Sequence, residues 1–109
     1  MFEKKDIIFS ETIGVCQVHD VTKLTDDHGH AINYYVLKNV FDKSKVAYIP
    51  VEGHQVVLRY LLTEIQAREM YEKAKAEGSV KELPDLVLEE IAYLMKVKKS
   101  DLLPEEEDQ

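Results

Sequence analysis

The chain has 109 residues, 45% of them hydrophobic and 32% charged, with one cysteine and a formal net charge of −7. This length excludes two large independent domains, and the apolar fraction excludes general disorder. Residues 1–60 carry 7 Lys/Arg against 8 Asp/Glu and residues 61–109 carry 7 against 13; an acidic chain without tryptophan is a poor strong binder of nucleic acid, because Lys and Arg supply most of the affinity for phosphate.

The start "MFEKKDIIF" lacks the apolar segment and small-residue cleavage site of a secretory signal, and no run approaches the roughly 20 apolar residues of a membrane helix. Cys16 has no internal disulfide partner. A cytoplasmic protein without membrane contact is the expectation. Five short segments rich in β-branched and aromatic residues then follow: "DIIF" (6–9), "GVCQVHDV" (14–21), "NYYVLKNV" (33–40), "KVAYIP" (45–50) and "VVLRYL" (56–61). The connectors "SETIG", "TKLTDDHGHAI", "FDKSK" and "VEGHQ" carry turn residues. The prediction is an α+β chain whose residues 1–62 form a small five-stranded antiparallel sheet or partly open barrel of Tudor or SH3 type. "KVAYIP" stops at Pro50, which has no N–H to give to a ladder. It is either one more strand of a compact sheet or an edge strand open to a strand from another protein.

At Thr63 the pattern changes. "TEIQ" has the capping-box form, helix formers continue through "AREMYEKAKAE", and Gly78 stands where a left-handed residue ends a helix, so the spacing predicts a helix over 63–77. Ile65, Met70, Tyr71 and Ala74 form its apolar stripe, and Glu69 and Lys73 are spaced for an exposed pair. Pro84 opens a second predicted helix, to about residue 98, with Val87, Ile91, Leu94 and Met95 on one face and Leu83 and Leu88 beside it. Lys96, Lys98 and Lys99 suit its negative end. Residues 63–99 read as a short helical segment and 100–109 as an acidic tail.

The chemically capable residues favour bland roles. Cys16 and His19, three apart on a strand, point to opposite faces and make neither a metal pair nor a nucleophile with its base. His28 and His30 lie in a polar turn and are too few for a closed zinc site. No phosphate-binding glycine loop is present. Tyr34, Tyr35, Tyr48 and Tyr60 could line an aromatic cage for a cation, but Tyr34 and Tyr35 face opposite ways and one of them belongs to the core. No enzyme activity, cofactor or metal is expected.

The fragments "MFEKKDIIFSETIGVCQVHDV", "NYYVLKNV", "KVAYIPVEG" and "VVLRYLLTEIQA", in this order and covering roughly the first 65 residues, resemble the RNA polymerase-interacting domain of the bacterial CarD, CdnL and transcription-repair coupling factor family. The resemblance implies a Tudor-like sheet that docks on a lobe of the RNA polymerase β subunit by extending the polymerase's own sheet. The contact positions it selects are Val46, Ala47, Tyr48 and Ile49, with Pro50 ending the pairing register. Family members commonly carry a basic residue before the Ile-Pro or Val-Pro step, where Tyr48 stands here. CarD-type regulators follow this domain with a larger helical domain that contacts promoter DNA through a tryptophan and basic residues. The short, acidic, Trp-free helical part here resembles it only in position and in "AKAEGSV", so no DNA-binding residue is assigned and direct DNA contact is expected to be weak. The expected function is that of a CarD-like transcription regulator. The competing reading is a Tudor- or SH3-like adaptor that dimerises through Val87, Ile91 and Leu94.

Overall fold

The computed structural model describes residues 1–104; the second half of the expected acidic tail, 105–109, lies outside the described residues. The fold is the predicted α+β one, an antiparallel sheet of five strands that is not closed into a barrel, followed by helices. Two compact units divide the chain, one over Met1–Leu61 and one beginning at Leu62.

The sheet contains β1 (Ile7–Ser10), β2 (Gly14–Thr25), β3 (Ala31–Asn39), β4 (Val46–Pro50) and β5 (Leu58–Tyr60), in the spatial order β4-β3-β2-β1-β5. One face is its core: Ile8, Cys16, Val18, Tyr35, Leu37 and Ile49 are buried there, with Phe2, Val21, Ala47 and Leu58 packed against them. Burying each large aliphatic side chain contributes about 2 kcal/mol, which is what a unit this small depends on.

The hairpin of β2 and β3 is longer than predicted. The expected connector 22–32 is mostly ladder, with Thr22↔Tyr34, Leu24↔Ile32 and Thr25↔Ala31 in register. The turn shrinks to 26–30 and is organised by Asp26, whose carboxylate accepts from the N–H groups of His28 (2.9 Å) and His30 (2.8 Å) and lies 3.3 Å from His30 Nδ1. Gly29 takes φ +80° there. A register shift between Val18 and Asp20 places a bulge at His19. The extra residue re-phases the strand: Cys16 and Val18 face the core before it, and Val21 returns to the core after it.

The second unit contains α1 (Glu64–Ala76), α2 (Asp85–Met95) and α3 (Lys99–Leu102), with a 3-10 turn at Val80–Glu82. α1 starts as predicted: Thr63 Oγ1 accepts from the Gln66 N–H at 3.0 Å and the Gln66 side chain accepts from the Thr63 N–H at 2.9 Å. It ends as predicted too, with Gly78 at φ +67°. The buried face differs from the predicted stripe. Ala67, Tyr71 and Ala74 face the core, and Ile65 is 69% exposed. Pro84 is the N-cap of α2, where its missing N–H costs nothing. α2 ends earlier than predicted, at Lys96 in a left-handed conformation with φ 60°. The added helix α3 occupies the start of the expected tail and is tied to α1 by the Tyr71 hydroxyl, which donates to Leu102 O at 3.0 Å. Lys99, expected to serve the end of α2, instead reaches Asp85 at its start, at 2.8 Å; that hydrogen bond raises the lysine's pKa. Glu90, absent from the predicted core, is fully buried and accepts from the Leu62 N–H at 2.9 Å.

A candidate protein-docking edge

Among the described residues β4 pairs only with β3 and is therefore an edge of the sheet. Its position is prepared by Asn39 at the end of β3, a buried residue whose Nδ2 donates to Ile13 O at 2.6 Å. Asn39 Oδ1 accepts from the N–H groups of Phe41 (2.8 Å) and Asp42 (2.9 Å), which bends the chain into the turn. The turn continues through Asp42, whose carboxyl is held below its ordinary range by hydrogen bonds from the Ser44 hydroxyl and N–H. Lys45 N–H donates to Asp42 O at 3.0 Å, and β4 begins at the next residue.

The backbone of β4 is sorted by its register. Asn39 N–H donates to Lys45 O (3.0 Å) and Val51 N–H to Asn33 O (2.9 Å), so the intervening hydrogen-bonded pairs are Leu37/Ala47 and Tyr35/Ile49. Residues 45, 47, 49 and 51 thus direct their polar groups toward β3. The N–H and C=O of Val46, the N–H and C=O of Tyr48 and the C=O of Pro50 point away from the sheet and belong to no ladder among the described residues. Pro50 falls at an outward position. It costs the β3–β4 pairing nothing and removes one donor from the open row.

Side chains sort the same way. Val46 (40% exposed), Tyr48 (56%) and Pro50 lie on the face opposite the core, while Ala47 and Ile49 face inward and Ile49 is only 7% exposed. Of the five predicted contact positions, then, Val46, Tyr48 and Pro50 share one accessible row. Ile49 offers neither an outward backbone group nor an accessible side chain, and Ala47, half-buried, offers no outward backbone group. A charge placed at Ile49 would test the core.

Sequence reasoning missed the neighbours of this row. On the same face Val36 stands across from Tyr48 and Tyr34 across from Pro50, and the hairpin continues the strip with Ile32 (40% exposed) and Leu24 (44%). The alternation Thr22-Lys23-Leu24-Thr25 against Ala31-Ile32-Asn33-Tyr34 was the available signal. The other end of β4 is basic, with Lys38 across from Val46 and Lys43 and Lys45 in the turn.

The other candidates resolve into structure. Cys16 is buried, its thiol 3.7 Å from Ile8 O, and burial pushes its pKa up to about 12, so it remains a protonated thiol. His19 is exposed at the bulge. Among the described residues no group of three or more His, Cys, Asp or Glu side chains could hold a metal ion. Tyr34 and Tyr48 lie on the outer face. Tyr35 and Tyr60 lie on the inner one, where Phe2 meets their rings edge-on at 5.8 and 5.0 Å. The tyrosines therefore form no common cage. In the second unit Ile91 is fully buried, which removes it from the dimer face expected for Val87, Ile91 and Leu94. No helix of the described residues is long and apolar enough to cross a membrane. No protein-family model matches the chain, and no curated protein matches it.

Proposed function

We propose that this chain is a CarD-like bacterial transcription regulator that binds the RNA polymerase β subunit by edge-strand pairing and so modulates transcription initiation in the cytoplasm. The observation that carries this reading is the open backbone row of β4, flanked on one face by exposed Val46 and Tyr48. Addition of a foreign strand draws affinity from backbone hydrogen bonds and specificity from alternate side chains. The quoted sequence resemblance supports the choice of polymerase as the partner.

The energetics fit a regulator that binds and releases. The open row offers the two N–H and three C=O groups named above, each hydrogen bond worth about 1 kcal/mol net. The apolar row adds burial, and the loss of translational and rotational freedom offsets several kcal/mol of the total. An affinity of micromolar or weaker is expected of such a small, transient contact. The regulator acts through contacts alone, and its acidic helical unit adds little attraction for DNA.

The test is capture of the isolated β-subunit lobe by the full chain and by Tyr48→Asp. The substitution sits on the exposed face, so the circular dichroism spectrum stays unchanged while capture falls at least about tenfold, a charge having been placed in a row that must lose its water. Capture equal to that of the unsubstituted chain overturns the reading.

A further inference from the structure

We propose that the open edge of β4 also accepts the β4 of a second copy of this chain, in an antiparallel pair with Tyr48 on the two-fold axis, so that self-association masks the docking edge. The inference rests on the edge assigned above and adds a means of regulating it.

The register of the open groups makes the edge self-complementary. With Tyr48 opposite Tyr48 of the second copy, the two residues exchange both hydrogen bonds, and the Val46 N–H of each copy meets the Pro50 C=O of the other. Every outward N–H then finds an acceptor. The group left to water is the Val46 C=O, which faces the position where proline has no hydrogen to give. The side chains agree: Tyr48 meets Tyr48 and Val46 meets Pro50 on the outer face, with Val36 behind Tyr48 in each copy. Aromatic and β-branched cross-strand neighbours of this kind stabilise antiparallel pairs.

Charge and the proline select this arrangement over its competitors. Glu52 falls opposite Ser44 of the second copy, between Lys43 and Lys45. A slip of two residues one way sets Glu52 against Asp42, a slip the other way sets each Tyr48 C=O against Pro50, which has no N–H to give, and a parallel pairing sets the lysine-bearing ends side by side. Such rim charges contribute little affinity, yet they decide between registers. Because self-pairing and strand addition use the same groups, each excludes the other, and the protein's own concentration sets how much edge is available.

Sedimentation velocity of the full chain tests this. Over about 10 µM to about 1 mM, the range suited to an interface below standard size, a concentration-dependent dimer is expected. Tyr48→Pro deletes the two central donors without touching the β3 ladder and weakens the dimer at least about tenfold with unchanged circular dichroism. Should that variant lose its fold, Tyr48→Asp, which brings two carboxylates together on the axis, is read instead. Under mild oxidation Tyr48→Cys cross-links, since facing Cα atoms of a hydrogen-bonded pair lie about 5.5 Å apart, whereas Val46→Cys does not. A chain that stays monomeric, a dimer indifferent to the Tyr48 substitutions, or faster cross-linking through Val46→Cys overturns the proposal. Capture of the β-subunit lobe, measured below the dimerisation range, separates the two readings. Capture by a chain that never dimerises sinks self-pairing alone, and a Tyr48-dependent dimer that captures no lobe sinks the polymerase reading alone.

Discussion

The sheet has two edges, and they are finished differently. β5 is three residues long, and one of its outward groups is used by the chain itself: the Arg59 guanidinium donates to Tyr60 O at 3.1 Å. The same guanidinium lies 4.2 Å above the Phe9 ring, and Phe2 packs on Tyr60. β4 is five residues long, and none of its outward groups is taken up in this way among the described residues. An edge strand left open is a hazard unless it has a partner. Short length and a side-chain bond limit one edge here, and a single proline limits the other.

Four substitutions sharpen this contrast, beginning with the largest expected effect. The largest is expected at an inward position of β4. Ile49→Glu places a carboxylate in the core of the sheet and costs about 4 kcal/mol or more, measured as a loss of the denaturant midpoint for the sheet unit. If it proves mild, β4 is less firmly seated than its burial indicates. A proline pair comes next. Ala47→Pro removes an N–H bonded to Leu37 and costs about 2 to 4 kcal/mol, whereas Tyr48→Pro, one residue on, changes stability by less than about 1 kcal/mol because its N–H points outward. Equal losses at the two positions would erase the inward and outward sorting. The last test lies at the β5 edge: Arg59→Ala removes the cation–π contact with Phe9 and the bond to Tyr60 O, lowers stability by about 1 to 2 kcal/mol, and leaves capture of the polymerase lobe intact. Loss of capture there would move the docking surface from β4 to β5.

Local chemistry was legible wherever a few neighbouring residues suffice to specify geometry. The Thr63/Gln66 capping box and the left-handed Gly78 depend on contacts within one turn, and both stand where the spacing predicts. The strands were legible as β-branched runs, and Pro50 marked an edge because its missing N–H is a covalent fact. The bulge at His19 was not legible: a bulge is a mismatch between two strands, and one strand's residues do not reveal its partner's count. Nor was the length of the β2–β3 hairpin, since "TKLT" carries turn-forming polar residues that become strand only when paired with "AINY". Ile65 read as core by type and proved exposed, and Glu90 read as surface by type and proved buried, because tertiary contacts selected the buried face in each case.

By itself the sequence determined that the chain is an acidic α+β protein, with short strands first, capped helices second, and a strand that stops at a proline. Propensity, capping and covalent structure act over a few residues and need no fold to operate. Tertiary structure alone decided which half of β4 is available. Val46, Ala47, Tyr48 and Ile49 are apolar or aromatic at both parities, so alternation could not choose a face, and only the register against β3 turned Val46 and Tyr48 outward and seated Ile49 in the core.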